Sequence, residues 1–224
     1  VRKHRPDRRG DDMQLVASGL FHRFDKTREV LRGVSLTVQA DNTSTAVVAP
    51  SGSGKTTLLA ILGGLLPPTS GAVHVEDRGR SMPVRDQVSW VFQTTGLLTR
   101  RSARDNAAMG ASALGRPRQE IQSSVDEALA AVGLSNHANE RAGILSGGEA
   151  QRLGVARAVA TGLPFILADE PTGQLDRANS RLVADALFEA VQVAAGGLVL
   201  VTHDLDLANR CDRTLSLLDG KLQE

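Results

Sequence analysis

The stretch Ala49-Pro50-Ser51-Gly52-Ser53-Gly54-Lys55-Thr56-Thr57 leaves few folds open to this chain. Before it runs Ser44-Thr45-Ala46-Val47-Val48, short, apolar and rich in β-branched residues, which predicts a buried strand. After it runs Leu58-Leu59-Ala60-Ile61-Leu62, rich in helix formers, which predicts a helix ending near Leu66, before Pro67-Pro68. A glycine-rich turn between strand and helix, closing on Lys-Thr, is a phosphate-binding loop. Gly52 and Gly54 lack a Cβ, so backbone N–H groups can curl around an anion at a helix N-terminus. Lys55 brings a cation for β/γ-phosphates, and the Thr56 hydroxyl is a ligand for Mg²⁺. The usual pattern opens with Gly where this chain has Ala49. Either that position is not left-handed here or it carries strain.

Strand and helix signals alternate on either side of this loop. Leu15-Val16-Ala17, Val34-Ser35-Leu36-Thr37-Val38, Ala72-Val73-His74-Val75-Glu76 and Val88-Ser89-Trp90-Val91-Phe92 predict strands, the last delivering Gln93. From about Thr99 to Gly162 β-branched runs give way to helical periodicity. Pro117 opens a helix through Ile121, Val125, Leu129 and Val132, stopped by Gly133. Strands return at Phe165-Ile166-Leu167-Ala168, Leu198-Val199-Leu200-Val201 and Thr214-Leu215-Ser216-Leu217-Leu218, with a helix from about Ala178 to Ala194 between the first two. The pattern is α/β, with a mainly parallel sheet covered on both faces and a helical block inserted.

Two further segments carry chemistry. Phe165-Ile166-Leu167-Ala168-Asp169-Glu170 is an apolar strand ending in two carboxylates, which suits a division of labour. Asp169 can hold Mg²⁺ through its water shell, while Glu170 polarises a water beside the γ-phosphate. In Leu145-Ser146-Gly147-Gly148-Glu149, Ser146 and Glu149 form a capping box, so a helix starts here. Gly147 and Gly148 are poor helix formers, and they make sense if backbone N–H groups must approach an anion.

Composition removes several function classes. Of 224 residues, 26 are basic and 25 acidic, so the charge balance gives no footprint for nucleic acid. The exception is an arm over residues 1–12 crowded with Arg2, Lys3, Arg5, Arg8 and Arg9, read as solvated and disordered, or as a contact for an anionic surface. A single cysteine, Cys211, leaves no internal disulfide and reads as a small buried hydrophobe. No run reaches the ~18–20 apolar residues of a membrane helix, and no signal-peptide pattern opens the chain.

Ala49 to Thr56, Gln93, Leu145 to Glu149 with Gln151-Arg152, Phe165 to Pro171, Gly173 to Asp176 and Val201-Thr202-His203-Asp204 stand in the order found in ATP-binding-cassette (ABC) transporter ATPase subunits. The chain resembles that family over nearly all its length after the basic arm. Asp169-Glu170-Pro171-Thr172-Gly173-Gln174-Leu175-Asp176 is most similar to the lipoprotein-release and macrolide-export subfamily, with Gln174 where Asn is usual.

The resemblance implies a phosphate-loop NTPase (RecA-like) core with a mainly parallel sheet, an N-terminal antiparallel β part and an inserted helical subdomain. Residues 13–224 would form one nucleotide-binding domain, with its core at 13–98 and 163–224 and the helical subdomain at about 99–162. The cofactors implied are ATP and Mg²⁺. Ser51, Gly52, Ser53, Gly54, Lys55, Thr56 and Thr57 would hold the phosphates; Thr56, Gln93 and Asp169 would serve the metal; Glu170 and His203 would be catalytic. Ser146, Gly147, Gly148 and Glu149 would meet the γ-phosphate of ATP held by another subunit, and Asp176 would communicate across that interface. The expected adenine-stacking aromatic is Phe24, since the chain has no tyrosine, with Phe21 as rival; either could instead be core.

The implied partners are a second ABC subunit, in an ATP-dependent homodimer, and a separate transmembrane permease docking near residues 94–106. Leu97 and Leu98 are either apolar anchors there or internally packed. The implied location is cytoplasmic, peripheral on the inner face of the membrane through the permease. The alternative function is an ABC-type ATPase driving a non-transport membrane complex, such as a cell-wall remodelling or cell-division system. A DNA-repair type would carry a long coiled-coil insertion, but here Ser146 follows Lys55 by only 91 positions (146 − 55).

Overall fold

The structure, a computed structural model, describes residues 12–25, 28–50, 52–194 and 196–224. The basic arm lies outside the described residues except for Asp12, and so does Ser51 of the phosphate loop.

Two sheets share one body. The first is antiparallel, in the order β2-β1-β4-β5, from β1 (Met13–Arg23), β2 (Glu29–Gln39), β4 (Ser70–Asp77) and β5 (Arg80–Met82). The second has the order β10-β9-β3-β8-β7-β6, from β3 (Ser44–Val48), β6 (Val88–Val91), β7 (Phe165–Asp169), β8 (Gly197–Thr202), β9 (Arg213–Leu218) and β10 (Lys221–Gln223). Its strands β9, β3, β8, β7 and β6 are parallel, and β10 closes one edge as an antiparallel hairpin.

Both faces of the parallel sheet are buried, and the alternation of side chains divides them. Phe165 and Leu167 of β7, with Val199 and Val201 of β8, join one core with α1 (Lys55–Leu62) and the antiparallel sheet. Ile166, Ala168, Leu198 and Leu200 face the other core. That core is shared with α2 (Ala103–Ala113), α3 (Arg118–Ala131), α4 (Gly147–Val159) and α5 (Arg177–Ala194). A last short helix, α6 (Leu205–Ala208), follows β8. The helices α2, α3 and α4 come between β6 and β7 in the chain.

Three local expectations change. The helix after the phosphate loop ends at Leu62, not near Leu66. Gly63 meets the Trp90 ring so closely that a Cβ would collide with it, and Gly64 turns left-handed at φ 69°. The amides of Gly64 and Leu65 then bond back to Ile61 and Ala60, so glycines stop the helix before the prolines can. β1 and β2 are each 11 residues, longer than the alternating cores that the sequence shows. β1 crosses a register shift between Ala17 and Leu20, where Gly19 (φ 56°) supplies a bulge that masks the strand period. β5 arises from a hairpin turned by Arg78 (φ 50°) and Gly79 (φ 78°), a pair of left-handed residues suited to a two-residue turn.

Candidate functional site

In an open parallel sheet, ligands sit beyond the carboxyl ends of the strands. Here those ends are crowded with chemistry. Ala49 follows β3, Glu170 follows β7, His203 follows β8, and Gln93 lies two residues past β6. A cleft of about 360 Å³ opens there, lined by Phe24, Gly52, Gly54, Lys55, Thr56, Thr57, Gln93, Asp169, Glu170 and His203.

The loop geometry fits an anion. Gly52 (φ 79°) and Gly54 (φ 100°) are left-handed, whereas Ala49 is not among the left-handed residues. Its buried methyl therefore costs no backbone strain, which resolves the departure at the first position. Gly54 also packs so close to Val30 that a Cβ would meet its side chain. The Ser53 hydroxyl oxygen is buried with no hydrogen-bond partner, an unspent polar group inside the loop.

Lys55 is 8% exposed. Its Nζ donates to the carbonyls of Ala49 (2.6 Å) and Pro50 (3.3 Å) and stands 3.5 Å from Glu170 Oε1. Glu170 is itself strained, a non-glycine residue at φ 45°. Its carboxylate accepts from Thr202 Oγ1 (3.2 Å), from the His203 amide (3.3 Å) and from His203 Nδ1 (2.9 Å). The outlier is thus fixed by Lys55 on one side and by the β8 terminus on the other. Burial pushes the Asp169 carboxyl above its usual range; the Thr56 hydroxyl bonded to it opposes this, the Glu170 charge adds to it and Lys55 opposes it.

Phe24 and Phe21 part company. Phe24 is 60% exposed in the cleft, and His22 meets it edge-on with ring centroids 4.8 Å apart. His22 is buried, and neither ring nitrogen has a hydrogen-bond partner. Phe21 instead lies over Gly33. Arg28 and Val30 also line the cleft, and Thr202 supports Glu170; none of the three was singled out from the sequence. Arg28 had a signal, as a cation just past the aromatic; Val30 had none, and Thr202 stood in the Val201-Thr202-His203-Asp204 motif without a role of its own.

The capping box forms as expected. Ser146 N and Oγ donate to Glu149 Oε2 at 2.8 and 2.7 Å, and Glu149 N donates back to Ser146 Oγ. These bonds hold the Glu149 carboxyl below its usual range. Ser146 and Gly147 are exposed. Gly148 is buried, and a Cβ there would strike Asn179, so its smallness has a packing cause besides any anion. Ser146, Gly147, Gly148 and Glu149 do not line the cleft around Lys55. Asp176 stands before α5 and accepts from the Ala178 and Asn179 amides and from Asn179 Nδ2, which holds its carboxyl below the usual range.

The family model described as ABC transporter matches residues 31–173. The chain belongs to the ABC transporter family. The lipoprotein-releasing system ATP-binding protein LolD of Ruegeria sp. (strain TM1040) is 41% identical over 87% of this chain and 89% of its own length. An uncharacterized ABC transporter ATP-binding protein, YbbA of Escherichia coli (strain K12), is 40% identical over 87% of this chain and 89% of its own. Among solved structures, the dimeric ATP-binding cassette MJ0796, in a post-hydrolysis state bound to ADP and Pi, superposes with a TM-score of 0.77. It is 27% identical and covers 94% of this chain and 97% of that one. As a member of the ABC family the chain is an ATP-hydrolysing, nucleotide-binding subunit, and its fold is the phosphate-loop NTPase cassette expected from the sequence. Among the described residues, no helix is long and apolar enough to cross a membrane.

Proposed function

We propose that residues 13–224 act as one nucleotide-binding domain that hydrolyses Mg-ATP in a site completed by a second copy, and so drives a separate permease. The observation that carries this is the split of the chemistry. Lys55, Asp169, Glu170 and His203 share one cleft, while Ser146 and Gly147 are exposed at the start of α4, outside that cleft. Two copies arranged head to tail would bring each exposed helix start to the other's cleft.

Within the cleft each residue has a task. Phe24 offers its face to the adenine. The backbone of residues 52–57 wraps the phosphates, and Lys55 must leave the Ala49 and Pro50 carbonyls to reach them. Glu170 accepts a proton from the water that attacks the γ-phosphorus, as the bond to the bridging oxygen breaks and ADP leaves. With Nδ1 donating to Glu170, a neutral His203 keeps Nε2 as an acceptor. Contact with a phosphate oxygen therefore requires the ring to turn or to carry a second proton. Thr56 and Asp169, already bonded, form an oxygen donor set that suits Mg²⁺, with Gln93 on the same cleft wall. The ion would supply positive charge against the β- and γ-phosphates.

The permease contact is assigned to residues 94–106, on the inner face of the membrane. Leu98 is 48% exposed there, while Leu97 packs against the helical-side core, so the two leucines divide the roles. The relatives are named for lipoprotein release and ABC transport, which favours transport over the remodelling alternative. Purified chain should release phosphate from ATP only with magnesium present. Chelation with EDTA should stop it and added Mg²⁺ restore it, whereas metal-independent turnover would contradict the site.

A further inference from the structure

A second hollow, of about 380 Å³, runs between the start of α5 and α6, lined in part by Thr172, Arg177, Arg181, Asp204, Asp206 and Arg210. Its charges are unevenly committed. Arg210 pairs with Asp185 (2.8 Å) and lies over the Phe188 ring (4.7 Å). Asp204 caps α6 by accepting from the Asp206 and Leu207 amides. Among the described residues, the side chains of Arg177, Arg181 and Asp206 make no ion pair or hydrogen bond. All three are exposed, and Leu205, between two acidic lining residues, is 61% exposed.

The hollow is lined by chain neighbours of the proposed dimer contact. Thr172 and Arg177 bracket the loop that ends in Asp176, and Asp204 directly follows His203. Uncommitted cations, Arg177 and Arg181, stand on the α5 side and uncommitted acid, Asp206, on the α6 side, while Asp185 of α5 and Arg210 beyond α6, which also line the hollow, neutralise each other. A two-fold axis passing between the two sides would set the cations of one copy against the acid of the other, since in such a contact residue i meets j as j meets i. A small anion fits less well, since Asp204 and Asp206 share the rim.

We propose that this groove extends the ATP-closed dimer and is covered by the same groove of a second copy, with Arg177 and Arg181 of one copy against Asp206 of the other. The inference rests on the two-copy reading of the site. It makes pairing selective for copies that carry both halves of the charge pattern, a specificity outside the nucleotide pocket.

The test uses the full chain with Glu170→Gln as parent, mixed with Mg-ATP and followed by light scattering behind size exclusion. The double variant R177E/R181E places acid against Asp206, and D206R places base against Arg177 and Arg181. Each alone should dimerise about tenfold or more weakly than the parent while the monomer binds ATP as before. An equimolar mixture of the two should dimerise as the parent does, because both contacts in the mixed pair become complementary. Rescue in the mixture separates a contact between copies from one within a chain. Charge reversals that leave dimerisation unchanged, or a mixture that fails to recover it, overturn the groove contact alone. A parent that stays monomeric overturns both the contact and the two-copy site.

Discussion

Phe24 and Glu170 show how single residues commit this chain. Phe24 is a large apolar side chain left 60% exposed, held edge-on by the buried His22. Exposure of that kind has a cost unless a flat ligand covers the ring. Stacking on a base is worth about 1–3 kcal/mol. Phe24→Ala should therefore raise the KM for ATP roughly 5- to 150-fold with kcat little changed, and Phe24→Trp should keep the wild-type KM. Steady-state phosphate release across ATP concentrations reads both; a variant losing kcat alone would place the ring outside the nucleotide pocket. Glu170 is the other extreme, a left-handed carboxylate pinned by Lys55, Thr202 and His203. Strain held so firmly at a cleft is a mark of function rather than of poor packing.

At the scale of elements, two devices hold the moving surfaces in shape. The first is the capping box of α4. Because its bonds lower the Glu149 pKa in the folded state, the stabilisation is present above the unfolded carboxylate value and is lost as pH falls through the folded one. The melting temperature of wild type should therefore exceed that of Glu149→Gln at neutral pH, and the gap should close on acidification through the carboxylate range. A gap that widened in acid would reverse the sign. Ser146→Ala should cost about 1 kcal/mol by the same loss of capping. The second device is a clamp on the segment after Gln93. The fully buried Asn106 accepts from the Leu98 amide and donates to the Leu98 and Ser102 carbonyls. Gln151 holds the Phe92 carbonyl and Arg157 the Thr95 carbonyl. Asn106→Ala should cost about 1 kcal/mol or more and open residues 94–102 to proteolysis, because it removes both bonds that hold the part-buried Leu98 backbone. Unchanged protease resistance would contradict the clamp.

Much at this scale was legible beforehand. The strand, glycine loop and helix around Lys55, the apolar strand to Asp169 and the Ser146 cap are local patterns, so local residues fix them. The stop of α1 at Leu62 was not legible, because Gly63 is silent until Trp90 arrives from another strand. The full length of β1 was hidden by the bulge at Gly19. Phe24 was already favoured over Phe21 from the sequence, but which of the two rings lines the cleft is a matter of long-range register. Cys211, expected as a small buried hydrophobe, is only half-buried against the helical-side core, and burial pushes its thiol up to about 11, which leaves it poorly reactive.

For the whole molecule, the architecture separates the tasks. One core joins the phosphate-loop helix to both sheets, and the other joins the same parallel sheet to the inserted helices. The sheet is thus a common wall, with the Lys55 cleft at its carboxyl edge and the Ser146 helix packed against its far face through Leu153, Val155 and Ala156. Under the two-copy proposal, the separation of Ser146 from Lys55 leaves a lone chain with only half of each site.

The measurement that reaches this claim most directly is Mg-ATP turnover and ATP-dependent dimerisation of the purified chain beside Glu170→Gln. Loss of a positioned general base costs roughly 10²–10⁴-fold. The variant should bind ATP, turn over at least about a hundredfold more slowly and accumulate as a dimer, while wild type hydrolyses ATP and cycles between monomer and dimer. A variant that hydrolyses at the wild-type rate, or that stays monomeric with ATP bound, would contradict a Glu170-driven site shared between two copies.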